Sequence, residues 1–362
     1  NNSVIPNSGL DRQNFTLAGT LTPINNLVID ARMNYILEDA KNRPFLSDGP
    51  GNANFNVMFL PTSVDVEVLK PGTKPDGSEL SYSENTFATN PWFAANNFIT
   101  NTDRDRLLST ISVRYNFPNG LFLQGRAGRD AYTDRYTQVV PTGTAYRPNG
   151  SLNEQTYQFS DVNVDGLAGM TFNLGEEGVT LTPNIGASYR RTKDETITNT
   201  GSDFAIPFLY NINNTKDKGA TTLKTDQEVQ SLYGTLEFGF RDFLYLTGSV
   251  RSDWFSTLAA LDRDNELNVV YPSIRSSFIF SEFLKPSWLN FGKLRAGYAI
   301  VGQATTPYQT ALYYSLLSPT LNGAPLGNIV NVNIPNNELR PSEAHEFEIG
   351  TELRLFNNRL SL

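Results

Sequence analysis

Apolar and polar side chains alternate along this chain in runs of about ten residues, and consecutive runs are joined in pairs by short turns. Leu27, Ile29, Ala31, Met33, Tyr35 and Leu37 share one parity, while Asp30, Arg32 and Asn34 fall on the other. A period of two puts these sets on opposite faces of a β-strand. The preceding run carries Phe15, Leu17, Gly19 and Leu21 on its apolar parity, and Thr22-Pro23-Ile24-Asn25-Asn26 reads as the turn between them. Leu107 to Phe117 and Leu121 to Ala127 form a second pair around Pro118-Asn119-Gly120. Val162 to Leu174 and Val179 to Tyr189 flank Gly175-Glu176-Glu177-Gly178, and Leu232 to Phe240 and Leu244 to Val250 flank Arg241-Asp242. Ile274 to Phe280 pairs with Leu294 to Ile300, and His345 to Phe356 leads into Asn357-Asn358. The total is about twelve antiparallel strands in an all-β chain.

The connections differ in length in a regular way. One set is short: 22–26, 118–120, 175–178, 241–242, 281–291 and 357–358. The other is long: 39–103, 133–155, 191–225, 255–270 and 302–342. A soluble sandwich has no reason to gather its long loops at one end. A membrane barrel does, with short periplasmic turns and long extracellular loops. The expected fold is therefore a transmembrane antiparallel β-barrel, with residues 1–362 forming part of one barrel domain. No run of eighteen apolar residues occurs, so a membrane-spanning helix is excluded, but a barrel is not. The first residues, Asn1 to Pro6, have neither a basic region nor an apolar run, so no signal peptide is expected there.

Composition removes most other chemistry. There is no Cys, so disulfides, Cys-ligated zinc and thiol catalysis are out. A single His excludes multi-His metal sites. The net charge of −8 leaves no dominant basic face for nucleic acid. Aromatics reach 12% although the mean hydropathy is only −0.34, an unusual mixture for a soluble enzyme.

Arginine decides which face meets lipid. Arg32, Arg114, Arg126, Arg190, Arg251, Arg275, Arg295 and Arg354 all lie on the polar parity. Asp30, Asp130, Glu237, Asp253, Glu346, Glu348 and Glu352 largely share it. An arginine facing lipid at the midplane costs about 2–4 kcal/mol. The eight arginines are therefore expected to line the lumen, with the apolar parity against outer-membrane lipid. Phe15, Tyr35, Phe117, Tyr189, Phe238, Phe240, Trp254, Phe280 and Tyr298 sit near strand ends, as interfacial girdles do.

Motifs for catalysis are nearly absent. Gly125-Arg126-Ala127-Gly128 lacks the strand and helix that a dinucleotide fingerprint needs. No nucleophile elbow surrounds a Ser, and His345 reads as an interfacial histidine. No catalytic residue, metal site or cofactor is expected. Asp262, Asp264 and Glu266 offer oxygen ligands for calcium, without the usual spacing or central Gly; a solvated loop is the default there. In the long loops, Trp92, Phe93, Tyr308, Tyr313 and Tyr314 are candidates for substrate or lid contact; packing of loop on loop is the equal alternative. Residues 54–61 suit one helical turn ending at Pro61.

Several of these segments resemble the barrel motifs of SusC/RagA-type TonB-dependent transporters of Bacteroidota. They are Lys293 to Gln303, Pro335 to Glu343 followed by Glu348-Ile349-Gly350, Leu355 to Leu360, and Leu10 through Pro44. Segments 54–66 and 90–98 are similar to that family's extracellular segments. The resemblance implies a 22-stranded, plugged barrel, so this chain is expected to be the central part of a longer protein, with plug and TonB box elsewhere. It also implies an outer-membrane location and no enzymatic activity. The implied function is TonB-dependent import of a large nutrient, glycan or oligopeptide, under a SusD-like surface lipoprotein acting as a lid. TonB would act through the plug, and further outer-membrane subunits are conceivable partners. The alternative is a structural barrel subunit of a larger outer-membrane assembly.

Overall fold

The computed structural model describes residues 3–175, 178–260, 267–329, 334–336 and 339–362. Strands β1 (Gly9–Leu21) and β2 (Leu27–Lys41) pair antiparallel with Phe15 opposite Tyr35, Leu17 opposite Met33 and Leu21 opposite Ile29. Like therefore meets like across the pair, and one side of the ribbon is apolar. Asn26 takes φ 70° in the turn between them, a left-handed conformation that asparagine tolerates.

The same pairing repeats through β3 (Ile99–Asn116), β4 (Leu121–Val140), β5 (Ser151–Met170), β6 (Phe172–Leu174), β7 (Val179–Phe204), β8 (Thr215–Phe240), β9 (Leu244–Phe255), β10 (Asn268–Phe278) and β11 (Leu289–Gln303). A separate hairpin, β12 (Ser315–Leu321) and β13 (Ala324–Asn328), precedes β14 (Ser342–Leu355) and β15 (Leu360–Ser361). Among the described residues, thirteen strands form one sheet in chain order, with β1 and β15 at its edges and the short β6 attached to β7. All the pairings are antiparallel. The fold is an all-β barrel wall, as the alternation predicts.

Register carries the two faces from strand to strand. Ile111 lies opposite Ala31 on one side and Ala127 on the other, and Ala127 opposite Val164. Leu232, Val250, Ile274, Tyr298 and Phe347 continue the same face through β14. This face is bare: Leu17 is 68% and Phe347 67% exposed. Buried apolar clusters lie instead at the long-loop end. One joins Ile5, Phe93, Phe98 and Val140, a second Val139, Leu152 and Phe204, a third Phe255, Leu258 and Tyr271.

Two expectations need correction. The long loops are shorter than the alternation suggests. Residues 133–140 and 151–155 continue β4 and β5, leaving only 141–150 as loop, and 191–204 and 215–225 continue β7 and β8. The apolar face stops at Ala127 and Tyr189, where Arg129 and Arg191 follow on the same parity, but the strand pairing does not stop. Loss of apolar side chains is therefore not loss of strand. β7 and β8 have 26 residues each. At about 3.3 Å per residue each spans on the order of 85 Å, far beyond a hydrocarbon core of ~30 Å. Second, Phe15 and Tyr189 lie in the middle of β1 and β7 and not near a strand end, whereas Phe117 and Phe280 fall just past the ends of β3 and β10. The other proposed girdle aromatics lie on the apolar face.

The two faces differ in what they accept. Leu236→Arg, near the middle of the apolar rows, is expected to cost the folded barrel about 2–4 kcal/mol. Thr182→Arg, on the opposite face with Glu237 across from it, is expected to stay within about 0.5 kcal/mol. Urea titration of the full-length protein in vesicles measures both.

Candidate functional site on the arginine face and the loops

The register places all eight arginines singled out from the sequence on the face opposite the apolar one. Arg32 lies across from Thr110, Arg126 across from Asp165, Arg275 across from Gly297 and Arg354 across from Phe291. Several are held by neighbours on that face. Arg126 donates to Asp165 at 2.7 Å and Arg190 to Asp161 at 2.9 Å. Arg251 donates to Asp253 and to the Ser231 hydroxyl, both at 2.7 Å. Arg114 donates to Asn116 and Gln124 and lies 3.9 Å above the Phe122 ring. Arg354 reaches Glu352 at 3.2 Å. Arg295 packs against Gly350 of the next strand.

The densest group on this face lies outside these eight arginines. Arg104 forms a two-pronged pair with Asp134, both bonds 2.6 Å, and Arg106 a similar pair with Asp130 at 2.9 and 2.6 Å. Both guanidiniums flank the Tyr132 ring, at 5.1 and 5.5 Å. Tyr132 in turn stacks on Phe159 at 5.0 Å and tilts against Tyr157 at 5.7 Å. Such paired forks fix geometry as well as charge. The signal was in the sequence: Arg104 and Arg106 continue the parity of Arg114, and Tyr132 and Asp134 that of Asp130. Above them, a cavity of about 730 Å³ opens between segment 43–49 and the strands. Thr102, Arg104, Asp134, Tyr136, Gln138, Gln155 and Tyr157 line it.

The loop aromatics divide. Helix α1 (Ala53–Val57) confirms a helical turn before Pro61, and α2 (Pro91–Asn97) carries Trp92 and Phe93. Asn90 caps α2 by accepting from the Trp92 and Phe93 amides, and Pro91 suits the first helical position. Phe93 is completely buried, edge-on to Phe98. Gly72, at φ +80°, lies so close that any side chain there would collide with the Phe93 backbone nitrogen. Phe93 is therefore core, with no surface left for a ligand. Trp92 is half-buried, its indole donating to Val66 O at 2.9 Å and its ring capped by Lys70 at 4.1 Å. Loop-on-loop packing accounts for both residues. Tyr308 and Tyr313 meet edge to face at 5.8 Å, and Tyr314 is 75% exposed. Thr310 donates to Ala259 O at 2.6 Å, carrying this loop across the tops of β9 and β10. Tyr308 thereby reaches a groove bordered by Asp105, Lys193 and Lys224, which share the parity of the apolar face. The structure joins Tyr308 to Tyr313, and the groove that Tyr308 reaches also touches Tyr132 and Phe159 of the arginine group.

One buried carboxylate ties the loops together. Glu79, 2% exposed, accepts from the Asn90 and Ala145 amides, each at 2.8 Å. Burial raises its pKa, opposed by these two donors. Burial also pushes the nearby Tyr146 phenol up to about 12. His345 engages the Tyr298 hydroxyl through Nδ1 at 2.8 Å on the apolar face. Among the described residues, no group of three or more His, Asp or Glu could hold a metal ion. Asp262, Asp264 and Glu266 lie outside the described residues.

Comparison with known proteins settles the family. The family described as "TonB dependent receptor-like, beta-barrel" matches residues 37–362. The chain belongs to this family. Among curated proteins, the barrel is 22% identical to TonB-dependent receptor P3 of Formosa agariphila over 79% of this chain and 29% of that protein. It is 24% identical to TonB-dependent receptor P26 of the same organism over 99% of this chain and 36% of that protein. The chain thus spans about a third of the length of the curated relatives it matches. In fold, the barrel is similar to the RagAB peptide transporter, with a TM-score of 0.81 at 19% identity, over 98% of this chain and 39% of that one. It is similar also to BauA, the ferric preacinetobactin receptor of Acinetobacter baumannii, with a TM-score of 0.56 at 11% identity, over 98% and 46% of the two chains. At these identities the likeness is one of fold.

Glu79→Ala removes the acceptor of the Asn90 and Ala145 amides and is expected to cost the loop cluster about 2–4 kcal/mol. Hydrogen exchange should accelerate at Asn90 and Ala145 together, while the amides of β9 and β10 keep their protection.

Proposed function

We propose that this chain is wall and rim of an outer-membrane importer, with its apolar face against lipid and its arginine face lining the lumen. The observation that carries this reading is the transition on one face: Ala127 to Arg129, Leu107 to Asp105 and Tyr189 to Arg191. It occurs while strand pairing continues unbroken. Such a transition marks the upper limit of a hydrocarbon layer. The long-loop end is then extracellular, and the paired arginines, costly in lipid, border water.

The cargo is a large nutrient, an oligopeptide or a glycan. The structural likeness to a protein described as a peptide transporter supports this class. The cavity beside Arg104, with its amides, hydroxyls and phenols, supports contact with a ligand rich in neutral hydrogen-bonding groups. Energy comes from TonB through a plug that other parts of the full-length protein supply. A SusD-like lipoprotein closes over the loops. Met58 and Val68 are 79% and 68% exposed on the segment that precedes α2, which supports a covering partner there. No covalent chemistry is involved, and no cofactor or metal is required.

Tyr136 and Tyr157, which line this cavity, test the ligand-facing role. Replacing both with Ala in the full-length protein is expected to lower ligand affinity roughly tenfold, the scale of one or two lost aromatic contacts. Heat-modifiable mobility should show the barrel still folded. Uptake that survives this change at wild-type rates would remove the cavity from the path. Growth on the nutrient that is unaffected by deleting the whole gene would favour a structural subunit instead.

A further inference from the structure

The apolar face is not uniform. Across β1 to β5 it is indented by a groove of about 610 Å³, walled by Leu17, Met33, Ile111 and Val162, with Gly19 and Ala127 at its floor. A side chain built on Gly19 would meet nothing within 4 Å, so the floor is open to its surroundings. At the long-loop end of the groove stands Arg129, in the same cross-strand row as Met33 and Val162.

Arg129 differs from the basic side chains above it. On the same face, Arg135 holds Asp105 at 2.7 Å, Arg191 holds Asp226 at 2.7 Å and Lys224 holds Glu195 at 2.9 Å. Arg129 makes only a long contact to the Ser160 hydroxyl, 3.4 Å, and no ion pair among the described residues. It is exposed. Arg191 lies two strands away in the same row, on the order of 10 Å distant. An apolar groove headed by unneutralised guanidinium is complementary to an acyl chain headed by a phosphate.

We propose that this groove binds a phosphorylated, acylated lipid of the outer leaflet, with acyl chain along Gly19 and Ala127 and phosphate on Arg129. This rests on the membrane orientation given above. The lipid is a structural companion of the wall and not cargo: the groove is on the face turned away from the arginine group. It would seat the barrel at a fixed depth and occupy the gap that small residues leave in its lipid-facing surface. The neighbouring ion pairs leave Arg129 as the donor able to take a phosphate without breaking an internal contact.

The test uses full-length protein in mixed micelles containing monophosphoryl lipid A or its dephosphorylated form, with retained lipid counted by native mass spectrometry. Wild type should retain the phosphorylated form in preference, and Arg129→Gln should reduce its retention roughly tenfold, the scale of one charge-assisted hydrogen bond. Gly19→Val should reduce retention of both forms while the barrel stays folded. Undiminished retention in Arg129→Gln, undiminished retention in Gly19→Val, or equal retention of the two lipids by wild type would each overturn the proposal. A separate arm reports orientation alone. A label on Val250→Cys, on the same face but outside the groove, should be quenched by brominated acyl chains. Absence of quenching would overturn the orientation, and quenching without lipid preference would overturn only the groove.

Discussion

In hydrocarbon, a peptide N–H or C=O has no solvent to bond, so every strand of a membrane wall must find its partner in the next strand. The rest of this structure follows from that demand. It forbids loops within the wall and keeps the register continuous, as between β7 and β8, where pairing runs from Val179 opposite Phe240 up to Phe204 opposite Thr215. With a period of two, an uninterrupted register carries one choice of face across every strand. Arg32 on β2 and Arg354 on β14 share a face because each intervening pair is in step, not because the two residues are near each other.

The same demand explains where the hydrophobic core is. A soluble protein buries its apolar side chains inside; here most of the wall's apolar side chains are bare, because lipid takes the place of a core. On this face water is the solvent only beyond the apolar rows, and there the loops build ordinary buried clusters around Phe93, Phe204 and Leu258. The rim that results is uneven. β7 and β8 rise far above β9, which ends at Phe255 opposite Val229. The Tyr308 loop bridges this step through Thr310 and Ala259. Glu79 performs the corresponding task on the other side, joining α2 to the β4–β5 loop with two backbone bonds.

What the sequence reveals and hides follows from this division. The membrane-crossing portion was legible, because lipid enforces strict alternation on one face; Leu27 to Leu37 and Leu121 to Ala127 announce themselves. Above the apolar rows, alternation no longer marks a strand, since both faces meet water. Thr196 to Thr200 and Lys216 to Thr225 read as loop, yet they pair as strand. The Arg104–Tyr132 group was hidden for the same reason, lying where the apolar signal fades. Phe93 misled in the opposite direction. Beside Trp92 in a polar loop it suggests a binding platform, and only the approach of Gly72 and Phe98 shows that it is the centre of a small core.

The arginine face also bears on how a cargo would leave. Arg104, Arg106, Arg126, Arg190 and Arg251 each hold a carboxylate within 3 Å. A row of bare guanidiniums would bind an anionic ligand strongly at several places and release it slowly. Pairing neutralises each cation locally while leaving outward-facing N–H donors and carboxylate lone pairs. The pairs are partly exposed and contribute little to stability individually. Their effect is on the surface of this face: dense in hydrogen-bonding groups, low in net field, and rigid because each fork fixes its partner. If the proposed import holds, such a surface would let a large polar ligand exchange one set of weak contacts for the next, which suits passage better than capture. On that reading, strong binding would have to come from the aromatic cavity at the top of the wall and from the proposed lid.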